Sequence, residues 1–171
     1  MGTVMNFSNR ISQRLHEEHR ATIALVERIE NLLARQRQSG APDVNDRGTA
    51  QLLADLSAGL EIEVLRHFAF EEDKIFAFLE AAGDAAIGEH LTSEHQAMRP
   101  LGIRLAALAR TAGAQGFDAA GWDEFRRLGS DLCERLRAHV DKEDMALLPL
   151  LEETMDAETE ARLFQEYVEN A

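Results

Sequence analysis

A short pattern of histidine and glutamate occurs twice in this chain, once in each half. The segment RHFAFEEDKIFAFLE at 66–80 aligns without a gap with AHVDKEDMALLPLLE at 138–152. Both contain His-x-x-x-Glu, a spacing that places the two side chains on one face of a helix, one turn apart. An imidazole and a carboxylate so placed can bind one metal ion. A lone copy is as readily a surface ion pair, but two copies on apolar helix faces favour a metal site.

Each copy is preceded along the chain by a Glu-His pair, at 18–19 and at 94–95. Four imidazoles and two carboxylates are a natural ligand set for two divalent ions that share the carboxylates. Imidazole together with carboxylate suits iron, manganese or zinc. The candidate metal ligands are His19, His67, Glu71, His95, His139 and Glu143.

Apolar residues recur at steps of three and four over four long segments, which predicts four helices. We place these helices at about 8–38, 49–82, 85–111 and 122–153, with Ser8 as the N-cap of the first. The six candidate ligands lie on the apolar stripes, where ionisable side chains are costly unless they are paired or bound to metal. Without a metal, we expect the two glutamates of the set to be buried carboxylates without partners.

The chain as a whole has the composition of an all-α protein, with abundant Ala, Leu, Glu and Arg and only 3 Pro. Together with the four apolar stripes, this composition predicts a four-helix bundle over residues 8–155. An amphipathic segment at 156–171 predicts a short additional C-terminal helix on the same domain, capped by Asp156. This helix is expected to dock through Leu163, Phe164 and Tyr167.

The charge of the chain excludes some partners. With 18 Lys and Arg against 31 Asp and Glu, the formal net charge is −13, which argues against binding to nucleic acid or to an anionic membrane surface. The sequence contains no apolar segment long enough to span a bilayer. The single Cys133 excludes an internal disulfide and fits a reducing compartment, so we expect a cytoplasmic protein.

Three further ionisable residues lie near the candidate ligands in the sequence. His16 is about 60° around the helix from His19, which favours an outer or entrance residue over a ligand. His90 is about 140° around the helix from His95 and faces away. Glu63, one turn before His67, is either an acceptor for a ligand's ring N–H or a boundary glutamate that pairs with a basic residue on a neighbouring helix.

Taken together, the four motifs resemble those of the hemerythrin-like, or HHE cation-binding, family. EEHR at 17–20, HFAFEEDKIF at 67–76, SEHQAM at 93–98 and HVDKEDMALLPLLE at 139–152 are similar to the signatures of its first to fourth helices. The resemblance implies a hemerythrin-like, up-down-up-down four-helix bundle that holds a non-haem diiron centre. Two Fe ions would be bridged by the carboxylates and by an oxo or hydroxo group, with Mn or Zn as the alternative metals.

The chain departs from the oxygen-carrying hemerythrins on the third helix. Those proteins have a further His four residues before the third-helix ligand, where this chain has Leu91. They also place Asp five residues after the last His, where this chain has Asp144, but the internal repeat favours Glu143 as the ligand. The pattern is closer to bacterial relatives with four His and two Glu, which are associated with nitric-oxide and oxidative-stress responses and with repair of iron centres.

The sequence thus predicts a metal-binding protein whose partner is a small diatomic ligand, O2 or NO, or which handles iron in oxidative or nitrosative stress. A diiron oxidase or NO reductase enzyme and a reversible O2 carrier or storage protein are two alternatives that also bind metal. A third alternative is a bundle that has lost its metal, and the complete ligand set argues against it. Whether the protein is an enzyme is left open, with binding favoured over turnover.

Overall fold

The computed structural model describes residues 5–170, and within this range the chain is all-α. The structure contains five helices, and two of them include π-helical turns. These are α1 (Arg10–Arg35), α2 (47–81), α3 (Ala86–Gln115), α4 (119–154) and α5 (Ala157–Glu169). The first four are joined by short loops, as is typical of antiparallel neighbours. Because α1 and α3 each pack against both α2 and α4, the four helices form an up-down-up-down bundle. The predicted fold class is confirmed.

The helix ends differ from the predicted ones because of the N-caps that the chain uses. Asn9 caps α1 by accepting from two backbone N–H groups of the first turn. The predicted cap, Ser8, is wrong, because its hydroxyl donates to Glu152 of α4 instead. Asp46 and Asp118 cap α2 and α4, so these helices begin two or three residues earlier than the apolar stripe alone predicts.

Two apolar clusters fill the bundle, one on each side of a polar layer. The first lies toward the loops 36–46 and 116–118, and its fully buried members include Ile29, Leu53, Leu105 and Phe125. The second lies toward the opposite end and includes Leu15, Ile75, Leu91 and Leu147. Along every helix of the bundle, the candidate ligands fall between a residue of one cluster and a residue of the other. The apolar clusters therefore keep the polar layer away from both ends of the bundle.

Three π-helical segments interrupt α2 and α4 at this polar layer. They are Glu63–His67, Glu71–Phe76 and Glu143–Leu147. The second and third occupy matching positions of the internal repeat. π-helical turns inside α-helices are rare and occur frequently at functional sites. Here they coincide with the candidate ligands.

The fifth helix closes one side of the second apolar cluster. Asp156 caps it, as predicted, by accepting from the backbone N–H of Thr159. Leu163 and Tyr167 are buried, and Phe164 is partly buried against the same cluster. Among residues 5–170, none of the helices combines the length and the apolar character needed to cross a bilayer.

Candidate metal centre

The polar layer brings together the side chains that the sequence predicts as metal ligands. Each bundle helix contributes one histidine, and α2 and α4 each add one glutamate; all six are at most 3% exposed. Their ligand atoms form two groups of four, each with all atoms within 4.8 Å of one another. Position one comprises His19, His67, Glu71 and Glu143, and position two comprises Glu71, His95, His139 and Glu143.

The two carboxylates belong to both positions, and each directs one oxygen to each of them. Oε1 of Glu71 lies 3.1 Å from Nε2 of His67, and its Oε2 lies 3.4 Å from Nε2 of His95. Glu143 mirrors this arrangement, with Oε2 at 2.9 Å from Nε2 of His19 and Oε1 at 2.9 Å from Nε2 of His139. Carboxylates placed in this way can bridge two metal ions.

Behind each imidazole, a second carboxylate lies against the ring nitrogen that faces away from the centre. This contact fixes the proton on Nδ1 and leaves the lone pair of Nε2 directed inward, as a metal ligand requires. The pairs are His19 with Asp144 at 2.7 Å, His67 with Glu18 at 2.8 Å, His95 with Glu72 at 2.9 Å and His139 with Glu94 at 2.8 Å.

Each of these outer carboxylates belongs to a residue that is next in the chain to an inner ligand, and it contacts a histidine of a different helix. Glu18 and Glu94 precede a ligand histidine, and Glu72 and Asp144 follow a ligand glutamate. A one-residue step turns about 100° around a helix, so the neighbour of an inward ligand points toward the adjacent helix. This role was not predicted from the sequence, although the position of each outer carboxylate next to a predicted ligand could have indicated it. The same geometry places the carboxylate of Glu143 inside the layer and that of Asp144 outside it.

The inward atoms of the layer lack protein partners. Nε2 of His19 and of His67, and all four carboxylate oxygens of Glu71 and Glu143, have no hydrogen-bond partner among residues 5–170. Nε2 of His95 lies 3.0 Å from Nε2 of His139; with the protons held on Nδ1, two lone pairs would face each other there. Buried polar atoms without partners are costly, and cations between them would satisfy all of them. The residues fit two metal ions.

The same groups shift one another's pKa when no metal is present. Burial lowers the pKa of His19, but its contacts with Asp144 and Glu143 outweigh burial and raise it to about 10. Likewise, burial is outweighed at His95, whose pKa rises to about 9 beside Glu143 and Glu71. Burial alone would raise the pKa of Glu143, yet the facing histidines, His139 first, hold it well below the ordinary value.

The raised pKa values of His19 and His95 favour protonated histidines beside the buried carboxylates in the metal-free protein. The contacts between histidine Nε2 atoms and the carboxylate oxygens supply charge attraction, although their angles are not those of hydrogen bonds. Glu71 and Glu143 thus lack hydrogen-bond partners among residues 5–170, as predicted, and the facing histidines offset their charge. A metal ion must displace protons from this layer in order to bind.

Comparison with known protein families matches residues 10–163 to the hemerythrin HHE cation binding domain. The chain belongs to this family. No curated protein matches the sequence significantly. The match identifies a cation-binding domain, and the two groups of ligand atoms in the polar layer could hold its metal ions.

Two histidines of this hemerythrin domain lie outside the inner layer. His16 is 9% exposed, and its Nδ1 lies 3.0 Å from Asp144, so it supports the carboxylate that orients His19. The side chain of His90 is 60% exposed and lies 3.2 Å from Glu94. The sequence-based placement of both residues off the inner face is confirmed.

Two other positions distinguish this hemerythrin domain. Leu91, at the place of the additional histidine of the oxygen carriers, is buried in the second apolar cluster and offers no donor atom. Glu63 is 8% exposed, and its Oε1 lies 4.0 Å from Nε2 of His67, on the inward side of the ring. Both predicted roles of Glu63 are wrong, because Glu18 holds the outer ring nitrogen and no Lys or Arg of residues 5–170 lies within 4.0 Å of Glu63.

Proposed function

We propose that the protein holds one iron ion at each position and uses the pair to bind O2 or NO in a cytoplasmic response to oxidative or nitrosative stress. The observation that carries this proposal is the sharing of both carboxylates between the two groups of ligand atoms. Two metal ions held by the same two carboxylates lie close enough to act on one small ligand. The mixture of imidazole and carboxylate donors suits iron.

The charge of the centre favours the capture of small, electron-rich molecules. Bound iron would supply open coordination positions and one-electron chemistry. The four imidazoles are neutral when they bind a metal, so only Glu71 and Glu143 offset the charge of the cations inside the layer. The outer carboxylates hold the Nδ1 protons and keep each imidazole in its orientation.

Aromatic rings cover the centre on the side of position two. Phe68 stacks on the ring of His95 with centroids 3.9 Å apart, and Phe76 lies 5.8 Å from the same ring. On the other side, a groove of about 180 Å³ between α1 and α2 reaches Glu63 and His67. This groove is wide enough for a diatomic ligand and supports access to position one.

The proposal is tested by loading the metal-free protein with Fe²⁺ in the absence of oxygen. Elemental analysis is expected to give two iron ions per chain, and one ion or none would contradict the proposal. Stopped-flow mixing of the reduced protein with O2 and with NO then separates the functions. A stable spectral change with each gas supports binding or sensing, whereas multiple turnover supports the oxidase or NO reductase alternative.

Substitution of one histidine in each position tests the assignment of the ligands. His67→Ala and His139→Ala are each expected to lower the iron content from two ions toward one, because each removes a donor from a different position. His90→Ala serves as the matched control and is expected to keep both ions, since its side chain is exposed. Equal losses in all three variants would contradict the assignment.

A further inference from the structure

The internal repeat allows the two metal positions to be compared side chain by side chain. The register that aligns His67 with His139 aligns Glu63 with Arg135. The groove between α1 and α2 contains Glu63, and the corresponding groove between α3 and α4 contains Arg135. The two positions match in their inner ligands and in their outer carboxylates, but they differ at this site.

Glu63 lies at the edge of position one, outside the group of four ligand atoms that lie within 4.8 Å of one another. It lies four residues before His67, as His67 lies four residues before Glu71, so the three side chains follow one face of α2. Its Oε1 is 4.0 Å from the inward nitrogen of His67. Donor atoms at about 2.1 Å from one metal ion lie about 3–4 Å apart, so this distance is compatible with a shared ion.

Within residues 5–170, Glu63 has no Lys or Arg partner and faces the imidazole of His67. The guanidinium of Arg66, which also lines the groove, lies over the ring of Tyr167 at 5.2 Å from its centroid. In the other half, the side chain of Arg135 is 47% exposed and pairs with Asp131 at 2.7 Å. When the imidazole of His67 is neutral, as a metal ligand requires, Glu63 is a nearly buried carboxylate without a cationic partner, and a metal ion at position one removes that cost.

We propose that Glu63 is a third carboxylate ligand, bound to the metal at position one only. This inference rests on the proposed two-metal centre. Position one then has two imidazoles, two shared carboxylates and a carboxylate of its own. Position two lacks this fifth donor and keeps one more coordination place for an exogenous ligand. The two ions are therefore inequivalent in affinity and in reactivity.

Anaerobic titration with Fe²⁺ against a competing chelator tests the inference through metal affinity. The wild-type protein is expected to bind two ions with different dissociation constants. Glu63→Gln is expected to weaken one of them by at least about tenfold and to leave the other unchanged. Glu61→Gln is the matched control, because it removes one charge from the same helix at an exposed side chain that pairs with Arg110.

A shorter side chain separates ligation from simple attraction. Glu63→Asp keeps the charge but shortens the reach by one methylene, so ligation predicts a loss like that of Glu63→Gln. Full affinity in Glu63→Asp would overturn ligation, as would unchanged affinity in Glu63→Gln or equal weakening of both ions. Wild-type protein that binds fewer than two ions would instead overturn the proposed function. Circular dichroism of each variant verifies that it is folded.

Discussion

At the scale of single residues, neighbours in the chain have different tasks because a helix turns between them. Glu143 is fully buried and faces both metal positions. Asp144 is the next residue, and the turn of about 100° carries its carboxylate to the outer nitrogens of His16 and His19. The two acidic residues are therefore not interchangeable, although the sequence allowed either one to be the ligand.

Substitution of each carboxylate by its amide distinguishes the two roles. Glu143→Gln is expected to weaken both metal ions, because it neutralises a ligand that both positions share. Asp144→Asn is expected to weaken only the ion at position one, by about 10–100-fold, since the amide loses the negative charge and keeps one acceptor oxygen for the Nδ1 groups of both His16 and His19. Iron content after dialysis against a chelator measures both effects. Loss of both ions in Asp144→Asn alone would show that Asp144 is the shared ligand.

The six inner residues could be predicted from the sequence because their spacing and their position on apolar stripes are local properties of a helix. The outer carboxylates could not be assigned to their partners, since the pairing of Glu18 with His67 depends on which helices are neighbours. Glu63 was misjudged for a related reason. Whether its carboxylate faces the inner or the outer nitrogen of His67 depends on the π-helical turn between them.

At the scale of helices, the approach of α2 to α3 requires a glycine. A Cβ atom at Gly102 would lie 2.6 Å from Cγ2 of Val64, a β-branched residue next to Glu63. Real Cβ atoms do not approach other atoms so closely, so one of the helices would have to move. Sequence periodicity places Gly102 on a helix but gives no distance to its neighbour. The residue type alone therefore did not reveal this contact.

Alanine substitutions at two glycines of α3 test this contact. Gly102→Ala is expected to lower the unfolding free energy by about 1–3 kcal/mol, because overpacking outweighs the improved helix propensity. Gly113→Ala, where no atom lies within 4 Å of the added Cβ, is expected to raise it by up to about 1 kcal/mol. Urea denaturation measures both values. A stabilised Gly102→Ala protein would show that the helices can separate freely at this point.

The fifth helix reaches the metal centre through a chain of hydrogen bonds. The hydroxyl of Tyr167 donates to Glu18, whose other oxygen holds the Nδ1 proton of His67. Tyr167→Phe is expected to cost about 1 kcal/mol of unfolding free energy. It is also expected to weaken the ion at position one several-fold and to leave position two unchanged. Chelator challenge and denaturation measure these effects, and equal weakening of both ions would contradict them.

At the scale of the whole molecule, the bundle is two apolar clusters joined through a charged layer. The number and order of the helices followed from four apolar stripes, which the sequence displays directly, and the up-down-up-down arrangement followed from the family resemblance. The charge state of the layer could not be predicted in this way, because it depends on which side chains of the four helices lie next to one another. Asp144 and Glu143 outweigh the effect of burial on the pKa of His19, and Glu143 and Glu71 do so for His95.

The metal-free protein is consequently expected to lose stability as the pH rises. The pKa of His19 is raised from 6.5 to about 10 and that of His95 to about 9, so the folded state binds more protons than the unfolded state in this range. This stabilisation is complete below pH 6.5 and is lost as the pH rises through about 9 to about 10.

Under the proposed function, iron would take the place of these protons at Nε2, so the iron-loaded protein is not expected to share this loss. We therefore expect the difference in Tm between the iron-loaded and the metal-free protein to widen as the pH rises from 6.5 to about 9. Calorimetry of both forms across this range measures the difference, and titration in buffers of different ionisation enthalpy counts the protons released on binding. A constant difference, with no protons released, would mean that the histidines of the metal-free layer are neutral and that its carboxylates are balanced in some other way.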